Sequence, residues 1–316
     1  NPKMSVVTRA QRNKGDNFLN QANTTLNKKT WFSTSTERKY EDAAELFEKA
    51  ANAYKVGSLF MEAGQAYKAA GEIYQTNLQN LGEASKCLSN AGSCFKKVSP
   101  SDAVEAYRSA VSLLCDAGRL SQAAKLSKEI GDIFENEING DQSENVTLAI
   151  ESYEQAAELF SMEDSKSQAS QCLAKVAELC SAALDPPELL RAAQIYDDMG
   201  CQCLDSNLLK YNAKGYFLQC VLCHLANGDA IASSQSLQKF SSLDFTFSDS
   251  REGKFAAQLV DCVDNFDTDG FATACFEYDR ISKLDPWKTS ILVKVKRSMA
   301  EEGGIGENTG DDEDID

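Results

Sequence analysis

An all-α chain is predicted, and within that class a tetratricopeptide-like (TPR-like) α-solenoid of antiparallel helix pairs closed by a C-terminal helical bundle. Three observations predict it. Proline occurs only at Pro2, Pro100, Pro186, Pro187 and Pro286 in 316 residues, which leaves long stretches rich in Ala, Leu, Lys, Glu and Gln free of helix breakers. Apolar residues recur at the spacing of one helix face. That spacing itself recurs, one alanine-led frame roughly every 20 residues.

After a first helical segment, the frame opens at Ala43 and reads Leu46, Phe47, Ala50, Ala51, Tyr54 at +3, +4, +7, +8 and +11. Ala63 leads Ala66, Tyr67, Ala70, Gly71, Tyr74, and Ala84 leads Cys87, Leu88, Ala91, Gly92, Phe95. Ala103 (Ala106, Tyr107, Ala110, Val111, Leu114) and Ala123 (Leu126, Ser127, Ile130, Gly131, Phe134) continue it. A longer step, with the turn signal Asn139-Gly140-Asp141, leads to Ala149 (Ser152, Tyr153, Ala156, Ala157, Phe160). The series closes with Ala169, Ala192 and Ala213, whose last members are Cys180, Cys203 and His224. Small residues at the leading, +7 and +8 slots let helix axes approach, and a ring or long aliphatic at +4 or +11 fills the groove between them. Connections this short make neighbours antiparallel, and a stack of such neighbours is a solenoid.

The frame fades after residue 229, so the solenoid is assigned to residues 1–229, with an aromatic loop near 28–36. Residues 230–300 are expected to form the capping bundle. There Phe255, Leu259, Val260, Val263 and Phe266 mark one helix, and Phe271 to Met299 another interrupted at Asp285-Pro286. Residues 301–316 hold eight acids, four glycines and no base, the composition of a tail expected to be disordered in isolation.

Composition excludes several classes. The 48 acidic against 32 basic side chains give a net charge of −16, which disfavours sequence-independent phosphate binding by the whole surface, so nucleic acid is not an expected partner. No apolar run approaches the ~18 residues of a membrane span, and Asn1 to Arg12 contain no signal-like apolar core. Eleven cysteines, an odd number, scattered without an export signal, read as reduced thiols in a cytoplasmic setting, serving mainly as small core hydrophobes.

Candidate chemistry weakens on inspection. Cys220-Val-Leu-Cys223-His224 fits the haem-attachment pattern, but Cys220 and His224 occupy the +7 and +11 slots that Ala, Ile, Val, Tyr and Phe fill in sister helices. Cys201, Cys203, Cys220 and Cys223 match no structural zinc spacing. Asn265-x-Asp267-x-Asp269-Gly270 imitates a calcium loop, yet Phe276 stands where a bidentate carboxylate is needed. Gly303-Gly304-Ile305-Gly306 lacks the strand and lysine of a phosphate cradle and reads as a linker. No catalytic constellation, metal or cofactor site is expected. The chain is not expected to be an enzyme, and a helical metalloenzyme would need a bound metal or haem.

Two features remain. Between Lys86 and Lys128 lie seven bases (Lys86, Lys96, Lys97, Arg108, Arg119, Lys125, Lys128) against Asp102, Glu105 and Asp116, which fits either a docking face for an acidic partner or a solvated rim. Lys28-Lys29-Thr30-Trp31-Phe32-Ser33-Thr34-Ser35-Thr36 places an aromatic pair among lysines and hydroxyls. An exposed pair suits a lipid interface, whereas a plug against the first helix pair would bury it.

The strings Gly92-Ser-Cys-Phe-Lys-Lys97, Asp116-Ala-Gly-Arg-Leu-Ser-Gln-Ala-Ala-Lys125, Leu208-Leu-Lys-Tyr-Asn-Ala-Lys214, Phe247-Ser-Asp-Ser-Arg-Glu252 and Leu284-Asp-Pro-Trp287, with Tyr216-Phe and Leu222-Cys-His224, are similar in order and spacing to one family. The chain resembles the soluble NSF attachment proteins (SNAPs), in particular the alpha type and its fungal counterpart, over essentially its whole length. The resemblance implies an adaptor that packs, in several copies, around an assembled four-helix SNARE complex and recruits the hexameric ATPase NSF for SNARE disassembly in vesicle-mediated fusion and protein transport. By position it implies SNARE contacts at Lys96, Lys97, Arg119, Lys125, Lys175, Leu208 and Lys210, and membrane contact at Trp31 and Phe32 beside Lys28 and Lys29. It implies NSF contacts at Asp261, Asp264, Asp314 and Ile315. Gln171 stands where the family has a further lysine, Asn265 where it has an acid and Ile315 where it has Leu, and residues Gly303 to Gly310 form a Gly-rich insertion. The location implied is cytoplasmic and peripheral to membranes. A co-chaperone scaffold holding peptide tails in a concave groove is the alternative that a TPR-like array by itself leaves open.

Overall fold

The computed structural model describes residues 5–29, 31–136, 142–206 and 209–304, with side chains to residue 301. Among these residues the regular structure is helical throughout. The first seven helices are α1 (Val6–Leu26), α2 (Ser33–Val56), α3 (Phe60–Thr76), α4 (Leu81–Phe95), α5 (Pro100–Asp116), α6 (Leu120–Asn136) and α7 (Gln142–Met162). There follow α8 (Lys166–Ala182), α9 (Leu189–Leu204), α10 (Lys210–Ala226), α11 (Ala230–Leu243), α12 (Arg251–Asp264), α13 (Thr268–Ile281) and α14 (Pro286–Gly304). Each of the nine alanine-led frames falls in its own helix, from α2 to α10 in order. The leading alanines are buried without exception. The expected acidic tail and the Asn139-Gly140-Asp141 turn lie outside the described residues.

The molecule divides into two compact units, residues 1–172 and 173–316, with the division inside α8. In the first, each helix from α1 to α7 packs against its neighbours in sequence within that run. Cross-links between alternate helices define two rows. Arg12 pairs with Glu62 at 2.5 Å and Lys68 with Glu105 at 2.7 Å, joining α1 to α3 and α3 to α5; Lys96 pairs with Glu129 at 2.9 Å, joining α4 to α6. Close approach of adjacent helices rests on glycine. A Cβ at Gly92 would lie 2.5 Å from the Tyr107 ring and one at Gly131 2.9 Å from that of Tyr153, so these rings occupy the space of an absent side chain. Two buried tyrosines pair their hydroxyls across helices: Tyr153 donates to Asp132 at 2.6 Å or Glu135 at 2.7 Å, and Tyr67 to Asn52 at 2.8 Å.

In the second unit α10 is buried on most of its circumference, by α9, α11, α12 and α14. Phe217 of α10 stacks on Phe240 at 4.1 Å between centroids and meets Phe247 edge-on at 5.5 Å. Trp287 sits edge-on to Tyr196 and donates its indole N–H to Ser181 Oγ at 2.8 Å. The expected helix near 255–266 is α12, and the segment interrupted at Asp285-Pro286 is α13 followed by α14. The expected domain boundary at 229 does not coincide with the division at 172. Fading of the frame marks a change of repeat rather than of core, because α10 on one side of residue 229 packs against α11 on the other.

Candidate functional site

The cationic face is built by α4 and α6, which run parallel because α5 returns between them. Asn80 caps α4 by accepting the Glu83 N–H at 3.1 Å. Gly118, at φ +66°, closes the α5–α6 turn and lets the Arg119 N–H reach Leu114 O at 2.8 Å, which sets Arg119 at the start of α6. A methyl group at Gly82 would stand 3.5 Å from the Arg119 guanidinium, so this side chain lies against the first turn of α4. Arg119, Lys125 and Lys86 line one groove of about 300 Å³ together with Gln122, Ser85 and Ser89.

Further along the same two helices Lys96 meets Glu129. The structure therefore brings Lys96, Arg119 and Lys125 onto one α4–α6 face. Lys97 turns the other way, its Nζ 4.3 Å from the centroid of Phe60 at the start of α3. Arg119, Lys125 and Lys97 are exposed and have no carboxylate within 4.0 Å among the described residues. Lys86, absent from the residues implied by resemblance, is a groove residue; its place in the seven-base run was the available signal.

Lys175 and Lys210 belong to the second unit. Lys175 stands 3.6 Å from Glu178 on α8, and Lys210 lies exposed at the start of α10, 5.5 Å from the Tyr211 ring centroid. Leu208 lies outside the described residues.

The α1–α2 connection presents its aromatic pair outward: Trp31 is 90% exposed and Phe32 77%. The plug alternative fails, because α2 holds the Phe32 backbone rather than its ring. Phe32 O accepts from Thr36 N at 3.0 Å, Ser35 Oγ at 2.7 Å and Thr36 Oγ1 at 3.0 Å. Lys39 Nζ ties the connection from below through Leu26 O at 3.2 Å. Lys28 and Lys29 are exposed beside it.

Asp261 and Asp264 are exposed in the last turn of α12, where a carboxylate opposes the helix dipole by about 0.3–1 kcal/mol each. Asn265 Nδ2 donates to Asp261 O at 2.8 Å. Asp314 and Ile315 lie outside the described residues. The calcium-like string is a helix cap: Asp267 Oδ1 accepts the Gly270 N–H of α13 at 2.8 Å. Cys220, Cys223 and Cys203 are buried and His224 half-buried; Cys203, Cys220 and His224 sit in packing slots of the frame, and burial pushes the Cys220 thiol up to about 12. No described residues form a group of three metal-ligating side chains. No helix among the described residues is long and apolar enough to cross a membrane.

A paired-helix scaffold that offers a cationic face, an aromatic tip and an acidic helix end has the equipment of an adaptor. The family is shown directly: the chain belongs to the soluble NSF attachment protein family, whose model matches residues 13–300. It is 36% identical to an alpha-soluble NSF attachment protein of Vitis vinifera over 83% of this chain and 87% of that one. It is 34% identical to the mouse alpha-soluble NSF attachment protein over 88% of both chains, and 37% identical to the vesicular-fusion protein SEC17 of Coprinopsis cinerea over 87% of this chain and 92% of that one. Members of the family are adaptors without enzymatic activity.

Proposed function

We propose that this chain binds assembled SNARE complexes through the α4–α6 face, recruits and stimulates NSF, and so serves SNARE disassembly in vesicle fusion and intracellular transport. The observation that carries the reading is the alignment of Lys96, Arg119 and Lys125 on one face, two of them without a carboxylate partner among the described residues, in a chain of net charge −16. The family resemblance adds Lys97 of the first unit, and Lys175, Leu208 and Lys210 of the second, as further SNARE contacts. Several copies coat one four-helix bundle, and individually weak ion pairs gain strength through multivalency. Trp31 and Phe32, with Lys28 and Lys29, hold the adaptor peripherally at the cytoplasmic surface of a bilayer. Asp261 and Asp264, with Asp314 and Ile315 of the tail, engage a basic surface on NSF, where ATP hydrolysis takes place.

Co-sedimentation with preassembled SNARE complexes tests the central claim. The double substitution Arg119→Glu and Lys125→Glu is expected to weaken binding at least about tenfold while the helical circular dichroism is retained. Unchanged binding, or equal affinity of the wild-type chain for isolated acidic peptides as a peptide-holding co-chaperone would show, overturns it.

A further inference from the structure

The α4–α6 groove has properties that contact with the side of a protein rod does not require. It is concave, and Lys86, Arg119 and Lys125 reach it from two helices. The partner of Lys86 is Glu83 of its own helix at 2.7 Å, an exposed i,i+3 pair that an incoming anion can replace. Arg119 overlies the first turn of α4, so the positive end of that helix adds to the three side-chain charges. Ser89 and Gln122 supply neutral donors on the walls, while the buried Ser85 hydroxyl is committed to Gly82 O at 3.0 Å. Three converging cations and a helix start suit clustered phosphates, whose several charged oxygens can use every donor at once.

A second observation concerns where the groove opens. Ser33, Thr36 and Tyr40 at the start of α2 share a hollow with Asn77, Leu78 and Gln79, which lead into α4. Arg119 in turn joins the start of α6 to that of α4. The starts of α2, α4 and α6 therefore lie along one edge of the first unit, and the exposed Trp31-Phe32 pair projects at the same edge.

We propose that this groove binds a compact anion bearing two or more phosphates, presented at this edge as a polyphosphorylated lipid headgroup. Only the lipid source rests on the membrane role given to Trp31 and Phe32; the phosphate chemistry stands on the groove alone.

The full chain is tested by titration calorimetry with inositol hexakisphosphate, and by flotation with phosphatidylcholine vesicles carrying phosphatidylinositol bisphosphate or phosphatidylserine at matched charge. Wild type is expected to bind the soluble probe saturably and to favour the bisphosphate vesicles. Lys86→Gln with Arg119→Gln should weaken both by about tenfold or more, while Arg108→Gln, which removes a cation of α5 outside the groove, should change them by less than about twofold. Trp31→Ser with Phe32→Ser should weaken vesicle binding and leave the soluble probe unaffected, which separates the tip from the groove. Saturable binding of the soluble probe without preference among vesicles retains the site and assigns it a free polyphosphate. Absence of saturable binding, or an equal loss from Arg108→Gln, overturns the proposal, whatever the SNARE sedimentation gives.

Discussion

Gly92 and Gly215 sit in helices that look alike in sequence and should respond oppositely to alanine. The Tyr107 ring fills the side-chain space of Gly92, so Gly92→Ala is expected to cost about 1–3 kcal/mol of stability through overpacking. Gly215 has nothing within 4 Å of a built Cβ, and Gly215→Ala should stabilise by about 0.5–1 kcal/mol through helix propensity. Urea unfolding of the two variants checks both signs. His224 offers a pH test. Burial lowers its pKa against the opposing pull of Asp229 and Asp197, and its Nδ1 has no hydrogen-bond partner among the described residues. The unfolded chain therefore takes up the imidazole proton first, and stability contributed by neutral His224 is lost as pH falls below the unfolded value of about 6.5. His224→Phe, which restores the ring used at this slot in Phe95, Phe134 and Phe160, should flatten the fall in urea midpoint between about pH 7.5 and 5.5. The packing role of His224 was legible because eight sister helices show what the slot holds. The polar partners of the buried tyrosines were not, since Tyr153 and Asp132 meet only once two helices are docked.

Helices that repeat were readable, and helices that do not were harder. The alanine frame locates α2 to α10 because burying one small-residue stripe against each neighbour imposes the same pattern every time. By contrast, α11 buries only Ser233 and Phe240, too few positions to show a period, so the fading frame does not reveal it. The division inside α8 was equally invisible, because the repeat runs through it unchanged. At α13 the calcium-like string has a purely structural use. Asp267→Ala is expected to lower stability by about 0.5–2 kcal/mol through loss of the cap. Millimolar calcium should leave the melting temperature of the wild-type chain unchanged, and a calcium-dependent rise in thermal scanning would contradict the cap assignment.

Across the molecule, charge and exposure carry the functional reading. Lys96, Arg119 and Lys125 could be listed from the sequence as candidates, but their common face depends on α4 and α6 lying side by side, which no local pattern encodes. The outward display of Trp31 and Phe32 likewise depends on the Phe32 carbonyl serving α2. Trp31→Ser with Phe32→Ser is expected to reduce flotation with vesicles by at least about tenfold, since each inserted ring removes substantial apolar area from water, and to leave binding to detergent-free soluble SNARE complexes intact. Equal losses in both assays would remove the lipid role. Several cations of the proposed contacts are already engaged at home: Lys96 with Glu129, Lys86 with Glu83, Lys175 with Glu178. An incoming carboxylate at these positions trades places with a resident one, so docking there is an exchange of near-equivalent pairs rather than a fresh gain. Such a grip tightens only in aggregate and lets go one swap at a time.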